Sequence, residues 1–535
     1  MRLSKAALIV TALRTTLATS TFNPTYLSRP DLTPPKLNIT ISSDPSAVSQ
    51  DYIFISPYHG FEPTSSGPAQ PAAYILRADG DLVWSGAGYF AGYVANFGPA
   101  VIDGKPVLRA AQGLLIEGHG RSVGNHAILN DRYETEKVLR AAGHKLVSVH
   151  EFEVVDDGKH VLIEVPVPVQ KDLTEFGGEE GQGWVLDSGF QELDVETGEL
   201  IFEWYSLEHL TPKYSALPLE PTGPFNARFP DDAWDYFHLN SAAKDRDGNY
   251  LISARNYAAI FKVNGTTGEV IWQLGGVHGS DFDVPVNVQF GYQHDARIRY
   301  VSDDGTIERI SFFDNAYHPR PAPGPISSSR ARYIELNHTA GTVTEVKTYW
   351  PPDGLFAGSQ GNTQFLANGN VFVNWGQAGA ITEFSEDGDV LFHAYLDSSP
   401  SHDVQSYRGF KYPWTGFSSE EIAVLVLGNV NGAVEVYVSW NGDTETKYWA
   451  FYLVDTEAGG KRYIGKQKRD GFETVFRTDL DLAADSLSKI SLVAEAHGKD
   501  RVLGKSGLTG LTDVSHLPIV DQHMLLAEGQ ERLEL

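Results

Sequence analysis

Three histidines open three similarly written strand pairs. His150 begins His-Glu-Phe-Glu-Val-Val-Asp-Asp-Gly158, His238 begins His-Leu-Asn-Ser ahead of an Asp247-Gly248 turn, and His294 begins His-Asp-Ala-Arg ahead of Asp304-Gly305. A single histidine in a strand is usually a satisfied structural group, but three at one phase of three repeats converge if the repeats are arranged around an axis. Imidazole can act near neutral pH as nucleophile, base, acid or metal ligand. Asn240 follows His238 by two positions, and Ser253-Ala-Arg255 ends the strand beyond the Asp247-Gly248 turn. That turn lays the two strands side by side, so His238, Asn240 and Arg255 are expected in one pocket. A guanidinium fork beside imidazoles and an amide suits an oxyanion such as sulfate, phosphate or carboxylate. Asp295 is expected to face away from His294, because neighbouring strand residues point to opposite sides. At the rim, His119 and His126, which flank a Gly-rich turn through Asn125, are expected as substrate contacts together with Trp234.

These residues sit in a chain that repeats one pattern from residue 50 to about 395: a period-2 apolar run, an Asp/Gly turn and a second apolar run. One version carries the histidines and continues at Gln364-Phe-Leu-Ala-Asn368-Gly369. The other ends in an aromatic, as at Ile75–Trp84, Leu193–Phe202, Phe261–Trp272 and Ile381–Phe392. The two versions alternate, and one of each gives four strands. This predicts an all-β fold, a six-bladed propeller over 21–415. A β-sandwich could use the same hairpins but would not explain the alternation. Long insertions at 166–188, 206–234, 276–290 and 316–330 are expected to cover one face. Residues 132–145 read as a short helix. Past Trp414 the runs Ile422–Leu427, Val434–Trp440 and Tyr448–Leu453 predict a small all-β module over 416–535, able to complete the last blade.

Composition removes several function classes. The chain of 535 residues has no cysteine, which excludes disulfides, thiolate metal sites and a cysteine nucleophile. Its formal net charge of −27 argues against nucleic acid and anionic membrane surfaces as partners, since both are bound through clustered Lys and Arg. The basic start Met1-Arg-Leu-Ser-Lys5, the apolar Ala6–Leu13 and the small residues Ala18 and Ser20 read as a secretory signal over 1–20. A secreted or secretory-lumen location follows, with sequons at Asn38, Asn264 and Asn337 as glycosylation sites.

His-x-Asn-Ser followed by Ser-x-Arg, then Gln293-His294-Asp-Ala and Phe313-Asp314-Asn315, resemble the arylsulfate sulfotransferase (ASST) family, most closely its eukaryotic, fungal-type branch; Val438-Ser-Trp-Asn-Gly442 is also similar to that branch. The resemblance covers roughly residues 50–450. It implies a six-bladed propeller that moves a sulfuryl group from an aryl sulfate to a phenol without a nucleotide donor or other cofactor. It further implies that His294 is the nucleophile, and that His150, His238, Asn240 and Arg255 hold the sulfuryl oxygens or shuttle the phenolic proton. Three other readings fit the same residues. One is a pericyclase, such as a hetero-Diels–Alderase of natural-product biosynthesis, using His238, Asn240 and Arg255 as hydrogen-bond donors. The others are a non-catalytic binding propeller and a metal-dependent hydrolase or lyase built on the three imidazoles. A small aromatic molecule is the expected partner, and the oligomeric state is open.

Overall fold

A computed structural model describes residues 25–60, 67–116, 121–316, 328–397, 404–428, 432–455, 460–480 and 490–513. The expected signal segment 1–20 and His119 lie outside them. Among the described residues the regular elements are β-strands and short 3-10 turns, with no α-helix, so the protein is all-β. Two compact units form. The larger comprises Pro35–Gly80 and Gly86–Trp414; the smaller comprises Asp81–Ser85 and the described parts of 1–34 and 415–535.

The larger unit is a series of antiparallel meanders. Sheet 1 pairs Phe410–Tyr412 with Tyr52–Ile55 and Tyr74–Leu76, so its first strand comes from the end of the unit. Sheet 2 runs Tyr93–Ile102, Lys105–Ile116, Arg121–Leu129, Thr135–Leu139; sheet 3, Phe152–Val155, His160–Glu164, Gly189–Asp194, Leu200–Tyr205. Sheet 4 runs Leu239–Lys244, Tyr250–Ala254, Ala259–Val263, Val270–Gly275; sheet 5, His294–Val301, Ile307–Asp314, Arg330–Asn337, Thr342–Tyr349. Sheet 6 runs Asn362–Phe365, Val371–Asn374, Ala380–Phe384, Val390–Leu396, with Leu37–Ser42 added on its outer edge.

The inner strands are apolar on both faces because they are covered on both sides, while outer strands such as Thr135–Leu139 and Thr342–Tyr349 keep exposed positions. In Tyr250–Ala254, Ile252 packs with Leu162, Phe190 and Trp204 of sheet 3, while its neighbour Leu251 packs with Ile310, Phe312 and Leu336 of sheet 5. A period of two sends adjacent residues to opposite faces, and here both faces are core. The same relation joins sheet 2 to sheet 3 through Ile128 and Val161, and sheet 5 to sheet 6 through Phe313 and Val373. The turns follow the sequence pattern. At Asp245-Arg-Asp-Gly248-Asn the Asp245 carboxylate accepts from the amides of Asp247 and Asn249, and Gly248 takes φ 84°, a conformation costly for other residues.

Residues 132–145 do not form the expected helix. Thr135–Leu139 is a strand paired with Arg121–Leu129, in register His126↔Leu139 and Ile128↔Lys137, and a 3-10 turn follows at Ala142–His144. The unsatisfied edge of Arg121–Leu129 and the burial of Leu139 beside Val107 and Ile128 outweigh a weak helix propensity.

At the inner ends of the sheets four charged groups are buried together. Arg408 donates to Glu151 at 2.9 Å and lies 3.5 Å from Asp295; Arg297 reaches Glu151 at 3.0 Å and Asp295 at 2.9 Å. Glu151 and Arg408 are fully buried. Backbone groups complete the network, since Glu151 accepts from the amides of Phe152 and Ala242, and Arg408 donates to the Asn240 carbonyl. Against the burial cost, the charges of Arg297 and Arg408, with the Arg408 and Ala242 hydrogen bonds, hold the Glu151 carboxyl low, at about 2.

His126, expected at the substrate rim, is instead fully buried in sheet 2, its ring 4.5 Å from that of Phe152 and neither nitrogen hydrogen-bonded among the described residues. Desolvation pushes its pKa down to about 3. An unfolded histidine binds a proton below about 6.5, which the native His126 refuses until about 3, so stability is present above 6.5 and is lost as pH falls through that window. His126 alone is expected to make the protein about 2–3 kcal/mol less stable at pH 4.5 than at 7.5. Urea denaturation of His126→Leu at both pH values should show that part of the difference gone; an unchanged difference would refute the assignment.

Among the described residues 415–513 the smaller unit forms two sheets. One orders Glu473–Asp479, Ala433–Ser439, Ala423–Gly428 and Thr512–Asp513; the other orders Lys461–Lys468, Tyr448–Asp455, Ile490–His497 and Val502–Lys505. Val436, Val438, Trp449, Phe451 and Leu492 from both sheets share one core.

Candidate active site

The larger unit encloses a cavity of about 220 Å³ whose walls include His150, His238 and His294. His294 is the first residue of its strand; His150 and His238 stand just before theirs. The ring centroids of His150 and His238 are 4.9 Å apart. His238 adopts φ 55°, in the left-handed region, and its carbonyl accepts from the Arg255 amide at 2.9 Å. The turn after Ala254 therefore closes directly onto His238 and carries Arg255 to the cavity wall.

Each imidazole has its Nδ1 held from behind, by chemically different partners. His238 Nδ1 is 2.6 Å from the buried Asp235 carboxylate; His150 Nδ1 is 2.8 Å from Glu164 and 2.6 Å from the Ser148 hydroxyl. His294 Nδ1 faces the Asn315 side-chain oxygen at 2.7 Å and the Tyr292 carbonyl at 3.0 Å. Asn315 cannot offer its nitrogen there, because Nδ2 donates to the carbonyls of Ala357 and Gln360. With two acceptors at Nδ1, the proton of His294 resides on Nδ1 and the lone pair on Nε2. Gln360 N donates to that lone pair at 3.2 Å, and Gln360 sits at φ 65°. Desolvation, reinforced by the Arg255 charge, holds His294 well below the usual histidine range, so it is neutral near pH 7. Desolvation also lowers His238, against the pull of Asp235.

Arg255 is half-buried, its guanidinium 4.2 Å over the Tyr292 ring and donating to Asn256 at 2.8 Å and to the Gly358 carbonyl at 3.1 Å. Among the described residues no carboxylate lines the cavity, and Arg255 supplies a positive potential there inside a strongly acidic chain.

A family model for arylsulfotransferase (ASST) matches residues 98–396. The chain belongs to the arylsulfotransferase (ASST) family. No curated protein matches it. The ASST match contains all three histidines and Arg255, whereas Tyr58, Tyr93 and Tyr407 of the cavity wall lie outside it.

Other expected site residues of this ASST-family chain are placed elsewhere. Asn240 is fully buried below the cavity, its Nδ2 donating to the Gln293 carbonyl at 2.8 Å. The register shifts between Leu239 and Ser241, so the simple alternation that would align Asn240 with His238 is broken. Trp234 is core, bonded through Nε1 to the Leu217 carbonyl, and Asn125 accepts from Gln112 away from the cavity. Asn256, Gln360, the tyrosines and the three Nδ1 partners went unnoticed in the sequence as site residues. Asp295 faces the buried ion network, away from His294. Asn38 is exposed, and Asn264 and Asn337 are half-buried in turns where their side-chain oxygens accept backbone amides. Among the described residues, the metal-ligating side chains close enough to share an ion are Asp156, His160 and Glu192, and the Lys244 ammonium already bridges two of them at 2.6 and 2.7 Å.

Proposed function

We propose that this chain is an arylsulfotransferase of the eukaryotic, fungal type that moves a sulfuryl group from an aryl sulfate to a phenol through an adduct on His294. The observation that carries this reading is the fixed tautomer of a neutral His294, with its Nε2 lone pair at a cavity wall shared with Arg255. In the first step Nε2 attacks sulfur, the N–S bond forms as the bond from sulfur to the aryl oxygen breaks, and the electron pair leaves on that oxygen. Nδ1–H, held by Asn315 and Tyr292, carries the positive charge that develops on the ring. In the second step the acceptor oxygen bonds to sulfur as the N–S bond breaks, and its proton passes to Nε2 of His238. That proton returns to the departing aryl oxide of the next cycle. Arg255 meets the sulfuryl charge, as in other transfers dominated by positioning and electrostatics. The fold we propose for it is a six-bladed propeller, one blade per sheet, in which Phe410–Tyr412 closes the ring against the first; the six meanders packed in series support it. Secretion, glycosylation at Asn38, Asn264 and Asn337, and a small aromatic substrate complete the reading.

The test is incubation with 4-nitrophenyl sulfate and a phenol. Nitrophenolate release with formation of the new aryl sulfate is expected, and their absence from folded protein rejects the reading for that donor.

Asn315→Asp probes the tautomer argument. A carboxylate behind Nδ1 raises the His294 pKa, so the acidic limb of the rate profile, lying well below 6.5 in the native protein, is expected to move up by about one to three pH units. A limb that stays in place would show that Asn315 does not govern His294.

A further inference from the structure

The ASST match supplies the imidazoles and the arginine, yet three tyrosines of the cavity wall come from outside it. Tyr58 and Tyr93 precede residue 98 and Tyr407 follows residue 396. Tyr58 and Tyr93 pack edge to face at 4.6 Å, and the Tyr58 hydroxyl donates to Gln405 at 3.3 Å. Tyr407 differs. It is 4% exposed, and its hydroxyl has no hydrogen-bond partner among the described residues. Its ring stands edge-on to two of the imidazoles, 5.4 Å from His150 and 6.3 Å from His294. Leaving a hydroxyl buried and unbonded costs about 1–3 kcal/mol. Phenylalanine would fill the same space without that cost, so packing alone does not account for the oxygen.

We propose that Tyr407 is a catalytic residue, the hydrogen-bond donor to the aryl oxygen that gains charge as the bond to sulfur breaks. The inference rests on the arylsulfotransferase reading and names a group that reading did not contain. Burial pushes the Tyr407 phenol well above its usual value, so it is neutral near pH 7 and donates a hydrogen bond without giving up its proton. A donor of this kind acts only where charge develops, which is why it can remain unbonded in the resting site. The same bond would steady the oxygen of the attacking phenol in the reverse sense.

Tyr407→Phe, assayed for the first half-reaction with aryl sulfates of graded leaving-group basicity, distinguishes this role from packing. The expected loss is about 100-fold for the most basic aryl oxides and less for acidic ones such as 4-nitrophenolate. Thermal stability should be equal to or above that of the native protein, because an unbonded hydroxyl has been removed. A uniform loss across the series, or none, overturns the proposal. A second measurement needs no turnover. Bound 4-nitrophenolate should absorb at shorter wavelength in the native protein than in Tyr407→Phe, and identical spectra or affinities overturn the donor role. If the native protein releases no nitrophenolate from any aryl sulfate, the arylsulfotransferase reading fails while the spectral comparison still decides whether Tyr407 donates.

Discussion

Replacing His294 by alanine is expected to lower kcat/KM for 4-nitrophenyl sulfate by about 10⁴-fold, a loss typical of removing a covalent nucleophile whose surroundings remain intact. The other two imidazoles are poor substitutes. Their Nδ1 atoms are tied to carboxylates at 2.8 and 2.6 Å, which fixes each ring where it stands, whereas His294 is backed by an amide and a carbonyl. Arg255 and the cavity persist in the variant, so donor binding should be nearly unchanged and the loss should fall on kcat. Added imidazole should restore part of the activity by entering the space the side chain leaves. Mass analysis under non-acidic conditions should find one sulfuryl group on the native protein after donor alone, and none on the variant. Release within tenfold of native would remove His294 from the mechanism.

The second large effect concerns stability. Arg408→Met is expected to cost about 3–5 kcal/mol, because it leaves Glu151 and Asp295 buried with only Arg297 between them. Urea denaturation with an unchanged m-value would measure it. Adding Glu151→Gln should recover part of the loss, since the uncompensated charge, more than the missing contact, is what destabilises. A cost below about 1 kcal/mol would mean that Arg297 suffices alone.

The strands were legible because their cause is local. Leu251-Ile252 and Phe312-Phe313 announce sheets covered on both faces, and the Asp/Gly turns between runs mark where each chain reversal falls. Helix propensity at 132–145 was a local signal too, but a neighbouring strand edge outweighed it. The three histidines could be grouped because they recur at one phase of a repeat. Asn240 could not be placed by the same rule, since the irregular pairing between Leu239 and Ser241 leaves no trace in residue types. Asp235 and Ser148 stand only three and two residues from His238 and His150, but other partners were hidden by distance along the chain. Asn315 lies 21 residues from His294, and Arg408 lies 257 residues from Glu151. Asn315 reaches His294 through the pairing of two adjacent strands of sheet 5, Arg408 reaches Glu151 from a segment that follows sheet 6, and no hydrophobic period encodes either meeting. Tyr407 escaped notice for a further reason: a tyrosine in an aromatic-rich sequence reads as core, and only an unbonded hydroxyl sets it apart.

The Gln360 amide on His294 Nε2 has a consequence for the idle enzyme. At 3.2 Å it acts as a placeholder, occupying the lone pair that a stray electrophile would otherwise find. Residence in the left-handed region costs on the order of 1 kcal/mol at Gln360. On the proposed reading, selectivity against adventitious alkylation or acylation would be built into the backbone itself: a reagent would have to displace the amide before reacting, and an aryl sulfate would bring an anion for Arg255 to help it do so.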